Sequence, residues 1–595
     1  MDISQLTFTH LKNNIQIKKQ DAIAGTKIAI LADTASQLVV QTIEGYGLEY
    51  NVQYDIFEAG FDEIDRQVFD LSSGLYRHSP DFVIILRSSE KLLEAFYALD
   101  TDQRRSFAVG QFDYMVSLCK ALQGQTKARI IFSNLPEMDD NIFGNYASNT
   151  DKSFLYQIRK LNLHLMEWAQ VQTDLYICDL CYMVARKGHE YSIDTRFYIH
   201  ANVILSLDFL PLLAKSIHDM IQSLLGRSRK CIILDLDNIL WGGVIGDDGI
   251  ENIRIGQLGI GKIFSHIQRW VQELSRRGII VAICSKNSAE TAKIPFLSHP
   301  EMVLRLSDIA VFLANWENKT DNIRRIREIL NIGFDSMVFI DDNPFEREMV
   351  KRTIPGIAVP ELPEDPALYL SYLQGLNLFE APYITEQDSN RTRQYQNEVK
   401  RTQSQKEFFD EDEFLKSLQM NSTVRAFDEF SIPRIAQLAQ RTNQFNLRTI
   451  RYTESSLSAI ARDADYLTLS FTLKDIYGDH GLIAAIILHK EGKDTLFIEN
   501  WMMSCRVFKR GMEAFAICQM EEIAKNAGYN KLEGEYIPTE KNTLVKDHYQ
   551  KFGFLSVAGG RWRLDLDKSH DELLHYISES NNLYYGKAGN YTDAK

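Results

Sequence analysis

The sequence predicts a multidomain α/β protein, and three observations carry that prediction. The chain has 595 residues, too many for one hydrophobic core when domains average roughly 150 residues. Its composition, 45% hydrophobic and 25% charged, is that of an ordinary globular protein with apolar material for several cores. Short apolar runs closed by polar turns recur along the chain, and such runs read as buried strands.

Residues 1–225 alternate the runs Lys27-Ile-Ala-Ile-Leu31, Asp81-Phe-Val-Ile-Ile-Leu86, Ala128-Arg-Ile-Ile-Phe132 and Asp174-Leu-Tyr-Ile-Cys178 with helical periodicity, the pattern of a parallel α/β layer. Residues 226–375 hold three further runs, Cys231-Ile-Ile-Leu234, Gly278-Ile-Ile-Val-Ala-Ile-Cys284 and Ser336-Met-Val-Phe-Ile340. A polar, charge-mixed linker, 376–419, follows; its stretch Thr385-Glu-Gln-Asp388 to Lys406-Glu407 starts with a Thr-x-x-Asp that predicts a connecting helix. A third α/β domain spans 420–570. Its strands are Tyr466–Phe471, Gly481–Leu488, Leu496–Cys505 and Lys531–Tyr536, and Arg506-Val-Phe-Lys509-Arg510-Gly511 opens a helix over 511–526. Residues 571–595 form a tail.

The middle domain carries the chemistry. Asp235-Leu-Asp237 directly follows the run 231–234, which brings two carboxylates to the carboxyl end of a strand, where open α/β sheets place their sites. One carboxylate can attack phosphorus while the second protonates the leaving oxygen, and a divalent cation neutralises the charge shared with a phosphate. The second run ends in Ser285-Lys286-Asn287, whose hydroxyl and amide can hold phosphate oxygens. Asn315-Trp-Glu-Asn-Lys319 offers an ammonium, and the third run ends in Asp341-Asp342-Asn343.

These four loops resemble the signature motifs of the haloacid dehalogenase phosphatase superfamily. The wording from Asp235 through Gly249, with Cys-Ser-Lys-Asn and Phe-Ile-Asp-Asp-Asn-Pro-Phe-Glu-Arg, is similar to the FkbH-like branch, subfamily IIIC. The resemblance implies a Rossmannoid domain with a minimal cap. It makes Asp235 nucleophile and Mg²⁺ ligand, Asp237 general acid/base and a further metal position, Ser285 and Lys319 phosphate binders, and Asp341 with Asp342 the rest of the metal site. Ile239 departs from the pattern, standing where the family usually has Thr.

The flanking domains resemble the partners of that branch. The first is similar to an SGNH-hydrolase-like or flavodoxin-like layer, without its catalytic parts: the first strand turn reads Asp33-Thr34-Ala35-Ser36, and Asp194 and His200 are spaced too widely. A scaffold or docking role is expected there. The third resembles a GNAT-type acyltransferase, although Lys509 stands at the first Gly position of the loop that would cradle pyrophosphate. Loss of that Gly limits backbone approach, which favours the phosphopantetheine arm of a carrier protein over CoA. Arg506, Lys509, Arg510, Gly511, Asn542 and Tyr549 are the expected arm-binding residues, and Asp479-His480 an acid/base pair.

FkbH-like proteins imply a function: dephosphorylation of 1,3-bisphosphoglycerate and transfer of its glyceryl group to an acyl carrier protein. Cys284 and Cys505 are candidate thiol relays. A simple Mg²⁺ phosphatase with partner-binding flanks, or an acyltransferase of surface-glycan biosynthesis, are the alternatives. The net charge of −14 argues against broad nucleic-acid binding, and an acidic carrier needs a local basic patch. Cys178-Asp-Leu-Cys181 is a lone pair that reads as packing. No segment approaches a membrane span and the start lacks a signal pattern, so the expected location is cytoplasmic.

Overall fold

The computed structural model describes residues 6–18, 25–138, 140–381, 384, 391–405, 408–442, 444–504, 507–539, 542–567 and 573–580. The chain divides into two compact units, Met1–Ser223 and Leu224–Lys595.

The first unit is built on five strands: β1 (Lys27–Ala32), β2 (Asp55–Glu58), β3 (Phe82–Leu86), β4 (Arg129–Ser133) and β5 (Leu175–Cys178). All pair in parallel in the order 2-1-3-4-5. This is the flavodoxin-like order, whose direction of winding reverses between β1 and β3. Ala29, Leu31, Val83, Ile85, Ile130 and Phe132 pack into one core with the helices Phe107–Gln125 and Phe154–Ala169. The alternate residues Ile28, Ile30, Ile84 and Ile131 are equally buried. Both faces are therefore covered, which is why these strands read as continuous apolar runs. The edge strand β2, Asp-Ile-Phe-Glu, is polar at both ends and leaves no such signature.

The second unit opens with a four-stranded parallel sheet of β6 (Cys231–Leu234), β7 (Ile280–Ser285), β8 (Val311–Ala314) and β9 (Met337–Ile340), in the order 8-7-6-9. One face packs on Trp241 and the helix Gly261–Arg276. The other packs on the helices Lys319–Leu330 and Pro344–Thr353. Between β6 and β7 the chain forms only the short turn of helix Ile245–Asp248 and the helix Gly261–Arg276, so no separate domain is inserted over the sheet end. Ile239 is fully buried in the first of these cores, an apolar site with no use for a hydroxyl.

A nine-stranded mixed sheet follows, of β10 (Met420–Ser422), β11 (Val424–Arg425), β12 (Tyr466–Asp475), β13 (Gly478–Glu491), β14 (Thr495–Met503), β15 (Lys531–Glu535), β16 (Leu555–Ser556), β17 (Arg561–Asp565) and β18 (Ile577–Glu579). β12, β13 and β14 form an antiparallel meander, and β14 runs parallel to β15 only over Thr495–Ile498. Beyond Ile498 the two strands are bridged by the protein's own segment Phe445-Asn446-Leu447. Leu447 N–H donates to the Trp501 carbonyl at 3.2 Å, Met503 N–H to Phe445 at 3.0 Å, and Ile537 N–H to Leu447 at 2.9 Å.

The helix Arg391–Gln405 connects the two sheets of this unit. On one side Tyr395 enters the core under β6 and β7, and Gln396 Nε2 donates to the carbonyls of Ser307 (3.0 Å) and Ile309 (2.9 Å). On the other, Glu398 receives Arg510 Nη2 at 2.5 Å. Arg510 is 1% exposed and also donates Nη1 to Asp475 at 3.0 Å, while His480 Nε2 lies 2.9 Å from the same carboxylate. Burial raises the Asp475 pKa, but the hydrogen bond from His480 and the charges of His480 and Arg510 outweigh it and hold the pKa below the ordinary value. Arg401, which pairs with Glu398, is pushed down to about 9 by burial and by Arg510.

This cluster corrects two expectations. Arg510 cannot meet a phosphodiester, because its guanidinium is buried in an ion network that locks the connecting helix. His480 pairs with Asp475, not with Asp479, whose carboxylate caps Gly481 N–H at 2.8 Å. Removing one member of a buried ion network leaves an uncompensated charge and costs about 3–5 kcal/mol. Arg510→Ala is therefore expected to lower the denaturant stability of the second unit by that amount; unchanged unfolding would show that the network is not a structural lock.

Candidate active site

The carboxyl ends of β6, β7 and β9 meet the first turn of the helix Lys319–Leu330, and the side chains on these four loops converge. Asp235, Lys319 and Asp341 are 6%, 4% and 0% exposed. Lys319 Nζ donates to Asp235 Oδ2 at 2.6 Å and to Asp341 Oδ2 at 2.5 Å, while Leu236 N–H donates to Asp235 Oδ1 at 2.7 Å. Burial works against the Lys319 charge, yet the two carboxylates outweigh it and raise its pKa above the ordinary lysine value. Burial, then the charge of Asp235, push Asp341 up to about 6 against the pull of Lys319, and Asp342 is raised by the same two causes.

Ligand oxygens of Asp235, Asp341 and Asp342 lie within 4.8 Å of one another. Three carboxylates facing one ammonium leave an excess of negative charge, and hard oxygen donors of this kind suit a small divalent cation. The residues therefore fit the expected metal. Asn238, with φ 55°, places its Nδ2 3.1 Å from Asp342 Oδ2 and accepts Gly243 N–H at 3.0 Å, which ties the β6 loop to the β9 loop. Arg347 donates Nη1 to the carbonyls of Asp341 (2.9 Å) and Asp342 (2.7 Å), fixing the β9 loop from behind.

Asp237 is held apart from this carboxylate group. Its Oδ1 accepts from Trp241 Nε1 at 2.9 Å and from Ile245 N–H at 3.0 Å, and its Oδ2 accepts from Asn287 Nδ2 at 2.8 Å. Asn287 also donates to Ser285 Oγ at 3.2 Å, so the acid/base candidate and the phosphate-binding hydroxyl are set by one amide. Trp241 is fully buried against Phe296. Its role was missed in the sequence, where a tryptophan four residues beyond Asp237 reads as core. Lys286, at the same strand end, pairs with Glu346 at 2.5 Å.

Other expected residues lie elsewhere. Cys284 is buried on the core face of β7, its thiol 3.7 Å from the Lys319 carbonyl and its pKa raised by burial. A thiol so protonated and enclosed is packing, not a relay. Cys505 and Arg506 lie outside the described residues. Lys509 is exposed with φ 61°, the left-handed conformation that favours the glycine it replaces. Gly511, at φ 75°, caps the helix Met512–Asn526. Asn542 is fully buried and spent on structure: it donates to the carbonyls of Ile537 and Asn446 and accepts from Thr539 N–H and Tyr536 Oη. Tyr549 is buried against Gly534, where an added Cβ would stand 2.2 Å from its hydroxyl.

Residues 27–222 match the family model described as the FkbH N-terminal domain. The crystal structure of the N-terminal part of BF1531 from Bacteroides fragilis, containing a phosphatase domain and complexed with Mg, is 47% identical with a TM-score of 0.61, over 64% of this chain and 100% of that chain. The ribosomal-protein-S18-alanine N-acetyltransferase from Escherichia coli is 14% identical with a TM-score of 0.20, over 26% of this chain and 99% of that one. No curated protein matches.

Lys319→Ala would leave the buried carboxylates facing one another. It is expected to cost about 3 kcal/mol of stability in chelator, with much of the loss recovered in millimolar Mg²⁺. Denaturation of the variant with and without Mg²⁺ checks this, and a loss that is indifferent to the cation would contradict it.

Proposed function

Because the chain belongs to the family of the Bacteroides fragilis protein BF1531, we propose that it is a magnesium-dependent phosphatase acting through Asp235. The observation that carries this is the convergence of Asp235, Asp341, Asp342 and Lys319 at one sheet end, with Asp237 and Ser285 joined beside them through Asn287.

The residues divide the work. Asp235 attacks phosphorus, forming an aspartyl phosphate as the bond from phosphorus to the leaving oxygen breaks, and Asp237 supplies the proton to that oxygen. Asp237 then takes a proton from a water that attacks the same phosphorus, releasing phosphate and restoring Asp235. Trp241, Ile245 N–H and Asn287 keep the Asp237 carboxyl aimed through both half-reactions. Ser285 Oγ and the Lys319 ammonium bind the phosphoryl oxygens. A cation held by Asp235, Asp341, Asp342 and the main chain at Asp237 would neutralise charge shared by the carboxylates and the phosphate.

The finer reading is that this chemistry serves acyl transfer, with 1,3-bisphosphoglycerate as substrate and the thiol of a carrier's phosphopantetheine arm as acceptor. Its support is chemical. Attack of Asp235 on the acyl phosphate would discard the activated C1 as a carboxylate, so the phosphatase site takes the C3 phosphate and leaves C1 for the thiol. Lys509, exposed and cationic beside the N-terminus of the helix Met512–Asn526, is the described residue best placed to meet the arm.

Two measurements test the two levels. Asp235→Asn keeps the shape but cannot attack phosphorus, so phosphate release should fall by about 10⁴ or more with the fold intact; near wild-type release would overturn the phosphatase. Intact-mass analysis of a carrier incubated with enzyme, Mg²⁺ and 1,3-bisphosphoglycerate should show the added glyceryl mass. Phosphate release without any mass gain would leave a simple phosphatase and remove the transfer reading.

A further inference from the structure

The first unit contains a cavity that the proposed chemistry does not use. It lies where β1 and β3 part in opposite winding directions, the place at which open α/β sheets bind ligands, and its volume is about 50 Å³. That is room for roughly three or four waters. Its walls are aliphatic, among them Leu38, Leu86, Ile193, Val203 and Leu213, with no aromatic ring to stack on a base.

The charged part of the lining is one carboxylate and one guanidinium, Glu90 and Arg87. Glu90, in the first turn of the helix Ser89–Tyr97, lines the cavity and is only 8% exposed. Its carboxyl receives no hydrogen bond from another described residue, and burial, with the charge of Asp33, raises its pKa to about 6. Asp33, at the end of β1, is 5% exposed; Ser88 N–H donates to its Oδ2 at 3.0 Å, while its Oδ1 is buried without a partner. Arg87 is the one cation in the cavity wall, and it is already engaged: Nε lies 3.7 Å from Asp33, Nη1 donates to Gln111 Oε1 at 3.1 Å, and the guanidinium covers the Tyr114 ring. Two buried carboxylates therefore face one occupied guanidinium. The wall also carries the hydroxyl residues Thr34, Ser36, Ser88 and Ser89; Ser36 donates to Glu58 at 2.6 Å and Ser89 to the Pro136 carbonyl at 2.6 Å.

We infer that this cavity binds a small aliphatic ammonium ligand, its alkyl part among the leucine, isoleucine and valine side chains and its –NH₃⁺ on Glu90. The lining selects this chemistry over the alternatives. A phosphate or carboxylate ligand would meet Glu90 in the wall, with the charge of Asp33 acting on it from outside the lining, and a single committed cation to offset them. A neutral apolar ligand would leave Glu90 buried with no partner beyond its own main-chain N–H, a costly place for a carboxylate charge. An ammonium group supplies both the missing charge and the donors. The first unit would then sense or position an amine and perform no hydrolysis of its own.

The test uses the full chain with isotopically labelled Ile, Leu and Val methyl groups, titrated with n-butylammonium and, separately, with n-butanol. The expected result is that n-butylammonium shifts the methyl signals of Ile193, Val203 and Leu213 at millimolar or lower concentration, and that n-butanol binds at least about tenfold more weakly, the value of one charge-assisted hydrogen bond. Glu90→Gln should weaken n-butylammonium by a similar factor while phosphate release and thermal unfolding stay unchanged. Val203→Phe, which fills the cavity and leaves the carboxylate, should abolish the shifts. Equal affinity for the alcohol, equal affinity in Glu90→Gln, or shifts that persist in Val203→Phe would each overturn the assignment.

Discussion

The second unit is organised around one buried ammonium. Lys319 joins Asp235 and Asp341, two largely buried carboxylates, and without it their repulsion would have no internal counterweight. The three groups come from β6, β9 and the helix after β8, so the contact fixes the relative height of three separate elements. Packing on both faces of the four-stranded sheet makes that geometry rigid, and the residual negative charge of the trio, with Asp342 beside it, creates the affinity for a cation. Structure and reactivity here have the same electrostatic origin.

The same physics explains why some residues with reactive chemistry do no chemistry. Arg510, His480 and Asp475 form a network as charged as the site, yet its charges are spent on one another and on Glu398. Asn542 is similarly consumed by four hydrogen bonds that hold the turn after β15. The segment Phe445–Leu447 occupies the space between the diverging ends of β14 and β15, pairing backbone groups that would otherwise be available to an extended ligand. The cavity beside Glu90 is the opposite case, where the surrounding residues leave a buried carboxylate unanswered.

The middle site was legible in the sequence because its chemistry fixes spacing and context together. Asp235, Ser285 and Asp341 each stand one step beyond an apolar run, and in a parallel sheet that alone brings them to one edge. Asn287 was readable for the same reason, and Lys319 through the wording Asn315-Trp-Glu-Asn-Lys319. Trp241 was not, since nothing in its spacing distinguishes a packed indole from one whose N–H is aimed at Asp237. Short or polar strands such as β2 and β16 left no signature because half-exposed edges need no apolar run, whereas β8 does carry one, Ile309-Ala-Val-Phe-Leu-Ala314, beside the loop that leads to Lys319. In the third domain, residue type was visible but direction was not: the partners of Arg510 lie 35 and 112 positions away in the chain, and only the fold reveals that they enclose it.

The central claim is that Asp235, held by Lys319, forms a covalent bond to phosphorus. The most direct measurement is to quench the enzyme during turnover with Mg²⁺ and a phosphorylated substrate, reduce it with borohydride, and map the modified peptide by mass spectrometry. A phosphorylated aspartate reduces to homoserine, and the account predicts this conversion at Asp235 alone, absent when substrate is omitted. Conversion at Asp237 or Asp341, or phosphate release with no converted aspartate at any point in turnover, would contradict it.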